Sequence, residues 1–218
     1  MDPLTRSHRQ LPTLTLILTA TLGTVISPHA RSAGWQPAAG PLVTRWAAAV
    51  SPENALPEYP RPQMIRAEWL NLNGLWEYAI TDRDAAETPP DAWAGQILVP
   101  YPVESALSGV MQPVGETKRL WYRRSFAIDG AVPDIATLKI HKARYGTRVF
   151  LNGNLAGEHL PCFTPAYPDL RPHLRGNGAE NELLIAIGAD RESLPPQLPG
   201  GWDFEKYRYI PGIYDSVE

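Results

Sequence analysis

No stretch of this chain sustains an apolar period of 3.6 residues, yet several short runs alternate with a period of two. LNGLWEYAI (Leu72 to Ile80) sets Leu75, Glu77 and Ala79 against Trp76, Tyr78 and Ile80. QILVPYPV (Gln96 to Val103) is a short apolar run stopped by Pro100 and Pro102. LWYRRSFAI (Leu120 to Ile128) puts Tyr122 and Phe126 on one face, and ATLKIHKA (Ala136 to Ala143) sets Leu138 and Ile140 against Lys139 and His141. ELLIAIGA (Glu182 to Ala189) is apolar throughout, as a central strand requires. Short strands separated by turn-rich loops predict an antiparallel β-sandwich or jelly roll.

One turn is specified by chemistry as well as by pattern. In VFLNGNLAGEH (Val149 to His159), Asn152-Gly153 separates two short apolar runs. Both residues tolerate the positive φ of a two-residue type I′ turn, which predicts a tight hairpin. The second glycine, Gly157, marks a close backbone approach or a bulge where the sheet bends.

The chain has 218 residues, 44% hydrophobic and 20% charged, with a formal net charge of -3. That suits one globular domain, and the near-neutral balance points to no nucleic acid partner. The 23 prolines and 17 glycines predict many turns and long coils. A single cysteine, Cys162, excludes an internal disulfide and any CxxC metal pair; it reads as a small buried or half-buried apolar group.

At the N-terminus, Arg6 and Arg9 precede the apolar run Leu11 to Ile26 and the small-residue stretch HARSA, the order of a secretory signal. The run is shorter than the ~20 residues of a membrane span, so none is expected. Residues 1–33 are therefore assigned to a signal peptide cleaved near Ala30 or Ala33, and the mature protein to an exported, periplasmic or extracellular compartment. Residues 34–62 form a proline- and alanine-rich coil, in which Arg45 to Val50 allows one helical turn. The folded domain is placed at 63–218.

Catalytic motifs are missing. There is no GxSxG elbow, phosphate loop, GxGxxG or HExxH. The histidines at 8, 29, 141, 159 and 173 have no metal-ligand spacing, with His159 and His173 expected in exposed loops, so no metal and no cofactor is expected. Glu68, Glu77, Glu104, Glu116, Glu158 and Asp169 could serve a glycosidase, but spacing selects no pair. Trp69, Trp76, Trp93, Trp121 and Trp202 are candidate sugar platforms, weighed against the commoner fate of a strand tryptophan, which is the core.

Taken in order, several segments resemble the opening of glycoside hydrolase family 2, which includes β-galactosidases, β-glucuronidases and β-mannosidases. They are PEYPRPQMIRAEWLNLNGLWEYAI, ILVPYPVESALSGV and LWYRRSF, then the hairpin, which resembles the family's V-x-x-NG-x-x-x-G-x-H. CFTPAYPDLRPHL is similar to the loop that carries T-P-F-x-x-D, NELLIAIGA to the N-x-L-x-V strand, and IPGIYDSVE to the closing S-G-I-W-x-x-V element. The match runs from about Pro41 to Glu218. Here Pro161-Cys162 stand in place of loop glycines, Ala166 in place of phenylalanine, Tyr214 in place of tryptophan, and Asp215 where arginine or glutamine is common.

The resemblance implies an all-β jelly-roll β-sandwich, galactose-binding-domain-like, that serves as the sugar-binding domain of a retaining glycosidase. It implies that both catalytic glutamates lie on a TIM barrel beyond an immunoglobulin-like domain, so no catalytic residue is expected here and the chain alone is expected to be inactive. A β-glycoside substrate and those two missing domains are the implied partners. Asp169, at the end of the loop, is the implied contact to a sugar hydroxyl, with the capping of the turn into Leu170 as its alternative role. Glu104 and Ser105 are further candidates for the pocket rim. A stand-alone carbohydrate-binding module and a decayed gene fragment are the competing readings.

Overall fold

The computed structural model describes residues 34–61, 63–84, 88–115, 117–144, 146–188 and 212–218. The expected signal peptide and Trp202 lie outside the described residues. Among the described residues six strands form, β1 (Gly74–Asp82), β2 (Gly95–Val99), β3 (Lys118–Phe126), β4 (Thr147–Leu151), β5 (Asn154–His159) and β6 (Asn181–Ile187). They make one antiparallel sheet in the order β2-β1-β3-β6-β4-β5. The only helical elements among the described residues are one-turn 3-10 segments, one of them Ala47–Ala49 in the stretch read as a helical turn.

The apolar run of β6 lies between β3 and β4, and Leu183, Ile185 and Ile187 are fully buried. At the hairpin, Asn152 and Gly153 take φ of 52° and 81°, the left-handed pair a type I′ turn needs. The Asn152 side chain does more than turn. Its Nδ2 donates to His173 O at 2.7 Å and to Asn181 Oδ1 at 2.9 Å, and its Oδ1 accepts from Glu182 N at 3.0 Å. The turn is thereby pinned to the start of β6. Gly157 combines both expected features. The β4–β5 register shifts between Val149 and Phe150, and a Cβ on Gly157 would stand 2.9 Å from Pro168 Cβ.

The second layer of the sandwich is built from residues 136–144, which hydrogen-bond on both sides. On one side Ile140 exchanges bonds with Ala166, Leu138 N donates to Pro168 O, and Leu170 N donates to Ala136 O. On the other, Lys139 exchanges bonds with Glu218 and His141 N donates to Ser216 O. The segment expected as a regular strand is thus an extended chain with isolated bridges. Proline is the reason on the 166–170 side: Pro165 and Pro168 have no N–H, so that ladder cannot run unbroken. The expected alternation holds, with Leu138 and Ile140 buried and Lys139 and His141 facing outward.

The core fills the space between the layers. Trp76, Ile97, Leu120, Tyr122, Val149 and Ile185 from the sheet pack in one cluster with Leu138, Ile140, Ala166, Leu170, Ile213 and Val217. The Trp76 and Tyr122 rings meet edge to face at 6.3 Å, and Trp76 Nε1 donates to Leu72 O at 2.8 Å, so the indole is apolar packing with its one polar atom satisfied. The Tyr122 hydroxyl accepts from Ile213 N at 3.2 Å, and burial pushes its phenol far above the ordinary range. Cys162 is buried, as expected for a small apolar group.

The proline-rich coil runs over this body without a strand. The described residues from Gly34 onward belong to one compact unit. Ala38 N donates to Ala106 O, Trp35 Nε1 donates to Ser108 O, and Leu56 O accepts from both Asn71 and Asn73.

Gly157→Ala is expected to lower unfolding stability by about 1–3 kcal/mol, because the new methyl overlaps a rigid proline ring. Gly115→Ala, where a Cβ meets nothing within 4 Å, should stay within about 0.5 kcal/mol. Urea unfolding followed by tryptophan fluorescence measures both.

Candidate functional site

The three site residues expected from sequence occupy two different regions. Asp169 bridges to Thr137 at one end of the second layer and is exposed. Its Oδ1 accepts from Arg171 N at 3.0 Å, a local turn bond just before the 3-10 turn Arg171–His173, whose N-cap is Leu170; its other oxygen makes no hydrogen bond among the described residues. Glu104 has both carboxylate oxygens buried, near enough to Tyr122 to help raise that phenol's pKa. Ser105 caps the turn Ala106–Ser108, with Oγ donating to Pro102 O at 2.7 Å and accepting from Ser108 N at 3.3 Å.

Their separation follows from the ladder. Asp169 pairs with Thr137, whereas Tyr122 bonds Ile213, which pairs with Ala143. From 137 to 143 an extended chain covers about 20 Å. The structure does not bring Glu104 and Ser105 to Asp169.

The candidate tryptophans also divide. Trp76 and Trp121 are buried in the core and in a small cluster on the outer sheet face, so neither can stack on a ligand. Trp93 is half-buried against that outer cluster with the Arg123 guanidinium 4.4 Å from its ring. His159 closes β5 and bonds Thr164, and His173 ends a 3-10 turn; both are half-buried rather than in open loops. No group of three or more potential metal ligands occurs among the described residues.

Trp69 has a different setting, which spacing alone did not reveal. Its Nε1 donates to Glu218 Oε2 at 2.5 Å, while Lys139 Nζ and His141 Nε2 lie 2.9 and 2.8 Å from Glu218 Oε1. Tyr59 meets the Trp69 ring edge-on at 5.0 Å. One carboxylate thus joins the coil before β1, the middle segment of the second layer and the closing segment. Burial works to raise the Glu218 pKa, but the bonds from Lys139, Trp69 and His141 outweigh it and hold the carboxyl below its usual range.

Trp69, Lys139 and Glu218 line a groove of about 900 Å3, together with Tyr59, Phe126, Thr137 and Tyr167. The sequence signal for it was the polar half of ATLKIHKA, which carries Lys139 and His141 on one face. Tyr167 was legible only through its position two residues before Asp169, on the same side of an extended segment.

No family model matches the chain, and no curated protein matches it. Solved structures do. A β-glucuronidase from Ruminococcus gnavus, in complex with uronic isofagomine, aligns at 18% identity and a TM-score of 0.50, over 70% of this chain and 29% of its own. The chain has a fold found in a solved glycosidase. A Faecalibacterium prausnitzii β-glucuronidase (19% identity, TM-score 0.47) and a Dictyoglomus thermophilum β-D-mannosidase (20%, 0.47) align over 68% of this chain and over 30% and 22% of theirs. This chain therefore spans about a third or less of the length of the glycosidases it matches.

Because Glu218 is held below its usual 4.5 in the folded state, its contribution to stability is complete above that pH. It is lost as pH falls through the folded value. Glu218→Gln should cost about 1–3 kcal/mol at neutral pH. The gap between variant and parent should close in thermal unfolding scans below about pH 4.5.

Proposed function

We propose that this chain is the N-terminal sugar-binding domain of an exported family 2 glycoside hydrolase. One observation carries the reading: the segments that resemble that family fall, in order, on consecutive elements of a single jelly roll. The opening motif is β1, PYPVES follows β2, the NG motif is the β4–β5 hairpin, the T-P loop is the 166–170 edge, and the G-I-Y element closes the second layer. The fold likeness to a β-glucuronidase supports the same assignment.

In this reading the intact enzyme hydrolyses a terminal β-glycoside with retention, through a covalent glycosyl-enzyme formed on a barrel glutamate. The immunoglobulin-like and barrel domains supply all the chemistry, and this chain contributes none of the reacting groups. Asp169 serves as the contact to the substrate. The bond from Arg171 N engages one oxygen of this exposed carboxylate and leaves the other for a ligand. Glu104 and Ser105 remain candidates for binding only through a movement that exposes the Glu104 carboxylate. Residues 1–33 act as the signal peptide, with cleavage near Ala30 or Ala33.

Sequencing the transcript past the Glu218 codon tests the reading. An open frame that encodes a barrel with a pair of catalytic glutamates is expected, and a stop codon would overturn the enzyme assignment. In the extended enzyme, Asp169→Asn should lower kcat/KM by roughly 10- to 150-fold, the effect of losing one charge-assisted hydrogen bond. The 218-residue chain by itself should show no turnover of aryl β-glycosides.

A further inference from the structure

The sequence contains three Asn-Gly pairs, Asn73-Gly74, Asn152-Gly153 and Asn177-Gly178. Glycine after asparagine favours attack by the main chain on the amide side chain, because no Cβ hinders approach to the glycine nitrogen. The three pairs share that intrinsic reactivity, and the fold sets them apart. Asn73 is buried; its Nδ2 donates to Leu56 O at 3.3 Å and to Ser216 Oγ at 3.1 Å, and its Oδ1 accepts from Val217 N at 3.0 Å. The Asn152 amide makes its own three bonds, to His173, Asn181 and Glu182. Both carboxamides are thus held by two donated bonds and one accepted.

Asn177 differs. It is exposed, and its carboxamide makes no hydrogen bond among the described residues. Its backbone, however, matches that of the hairpin turn: φ is 57° at Asn177 and 76° at Gly178, against 52° and 81° at Asn152 and Gly153. The two turns present the same left-handed pair, so the difference between them lies in the side chain. Main-chain bonds hold the 177–178 turn, from Asn177 N to Gly130 O and from Gly178 N to Ile128 O, the second at 3.0 Å. Attack by the Gly178 nitrogen needs that second bond to open. One bond at an exposed turn opens more readily than a carboxamide leaves three partners, two of which tie the hairpin to β6.

We propose that Asn177 is a site of spontaneous covalent modification, the place where the folded chain deamidates. The Gly178 nitrogen gives up its proton to hydroxide and bonds to Asn177 Cγ. The Cγ–Nδ2 bond then breaks, and the amide nitrogen takes a proton from water and leaves as ammonia. Water opens the resulting cyclic imide at either carbonyl, its hydroxyl going to the carbon and its proton to the ring nitrogen. Position 177 becomes an aspartate or an isoaspartate; one water is consumed, one ammonia is released, and nothing is oxidised or reduced. The setting gives the event a consequence. At Gly176 a Cβ would stand 2.7 Å from Gly130 O and 2.9 Å from Val132 N, so this turn lies against residues 130–132 with no space for a methyl. Isoaspartate adds an atom to the main chain beside that contact and displaces it, and with it Ala131 and Val132 of the groove lining. The modification concerns the polypeptide alone and holds whatever enzyme the domain belongs to.

Incubation of the full chain in mildly alkaline heavy-oxygen water, followed by peptide mapping in ordinary water with mass spectrometry, tests it. The same incubation in concentrated urea gives the intrinsic rates, and there the three pairs should react within about threefold of one another. In the folded chain Asn177 should take up label about tenfold or more faster than Asn73 and Asn152, as aspartate and isoaspartate. The aged parent should unfold at a lower urea midpoint than the fresh one. Asn177→Gln, whose longer side chain closes the ring far more slowly, should lose the early label and keep its own fresh midpoint on ageing. Labelling of Asn73 or Asn152 at a rate comparable to Asn177 in the folded chain overturns the proposal. So does the lack of label at Asn177 once the urea control is complete, or an equal fall in midpoint for the aged variant.

Discussion

The structure depends on one extended segment that has a partner on each side. Residues 136–144 hydrogen-bond to 166–170 along one edge and to the closing residues 212–218 along the other. Without them the six-stranded sheet would keep one face of large apolar side chains in water, Trp76, Leu120 and Ile185 among them. Leu138 and Ile140 provide the opposing surface, so the hydrophobic driving force and the backbone bonds of the second layer come from the same few residues. An interrupted ladder suffices here because side-chain burial, not ladder length, holds the layer in place.

What sequence could show divides by the range of the forces involved. Asn152-Gly153 was legible because a type I′ turn is decided by two residues and their backbone energies. β6 was legible because a strand buried on both faces needs an unbroken apolar run. The pinning of Asn152 to His173 and Asn181 was not, since it joins residues 21 and 29 positions apart. Equally, no local rule says that the Glu104 carboxylate is buried near Tyr122, or that Asp169 lies further along the second layer at residue 137. Trp69 resembled the other tryptophans in sequence. Only the meeting of three distant segments at Glu218 distinguishes it.

The sheet edges show how the fold limits unwanted pairing. β5 is an edge strand, and an exposed edge is a template for association with another chain. Here the register shift opposite Val149 and Phe150 breaks the regular row of donors and acceptors, and Pro168 covers the backbone at Gly157. Glycine is required at that position so that the cover can come close.

Glu218 has a consequence for the order of events during synthesis. Its main chain completes the second layer, and its side chain draws Trp69, Lys139 and His141 together. A chain still on the ribosome can form the β4–β5 hairpin early, because that pairing is local. The contact that joins Trp69, Lys139 and His141, by contrast, cannot form until residue 218 has emerged from the exit tunnel. Closure of that surface is therefore a late step of domain folding, and a chain that stalls before it would present the sheet's apolar face instead.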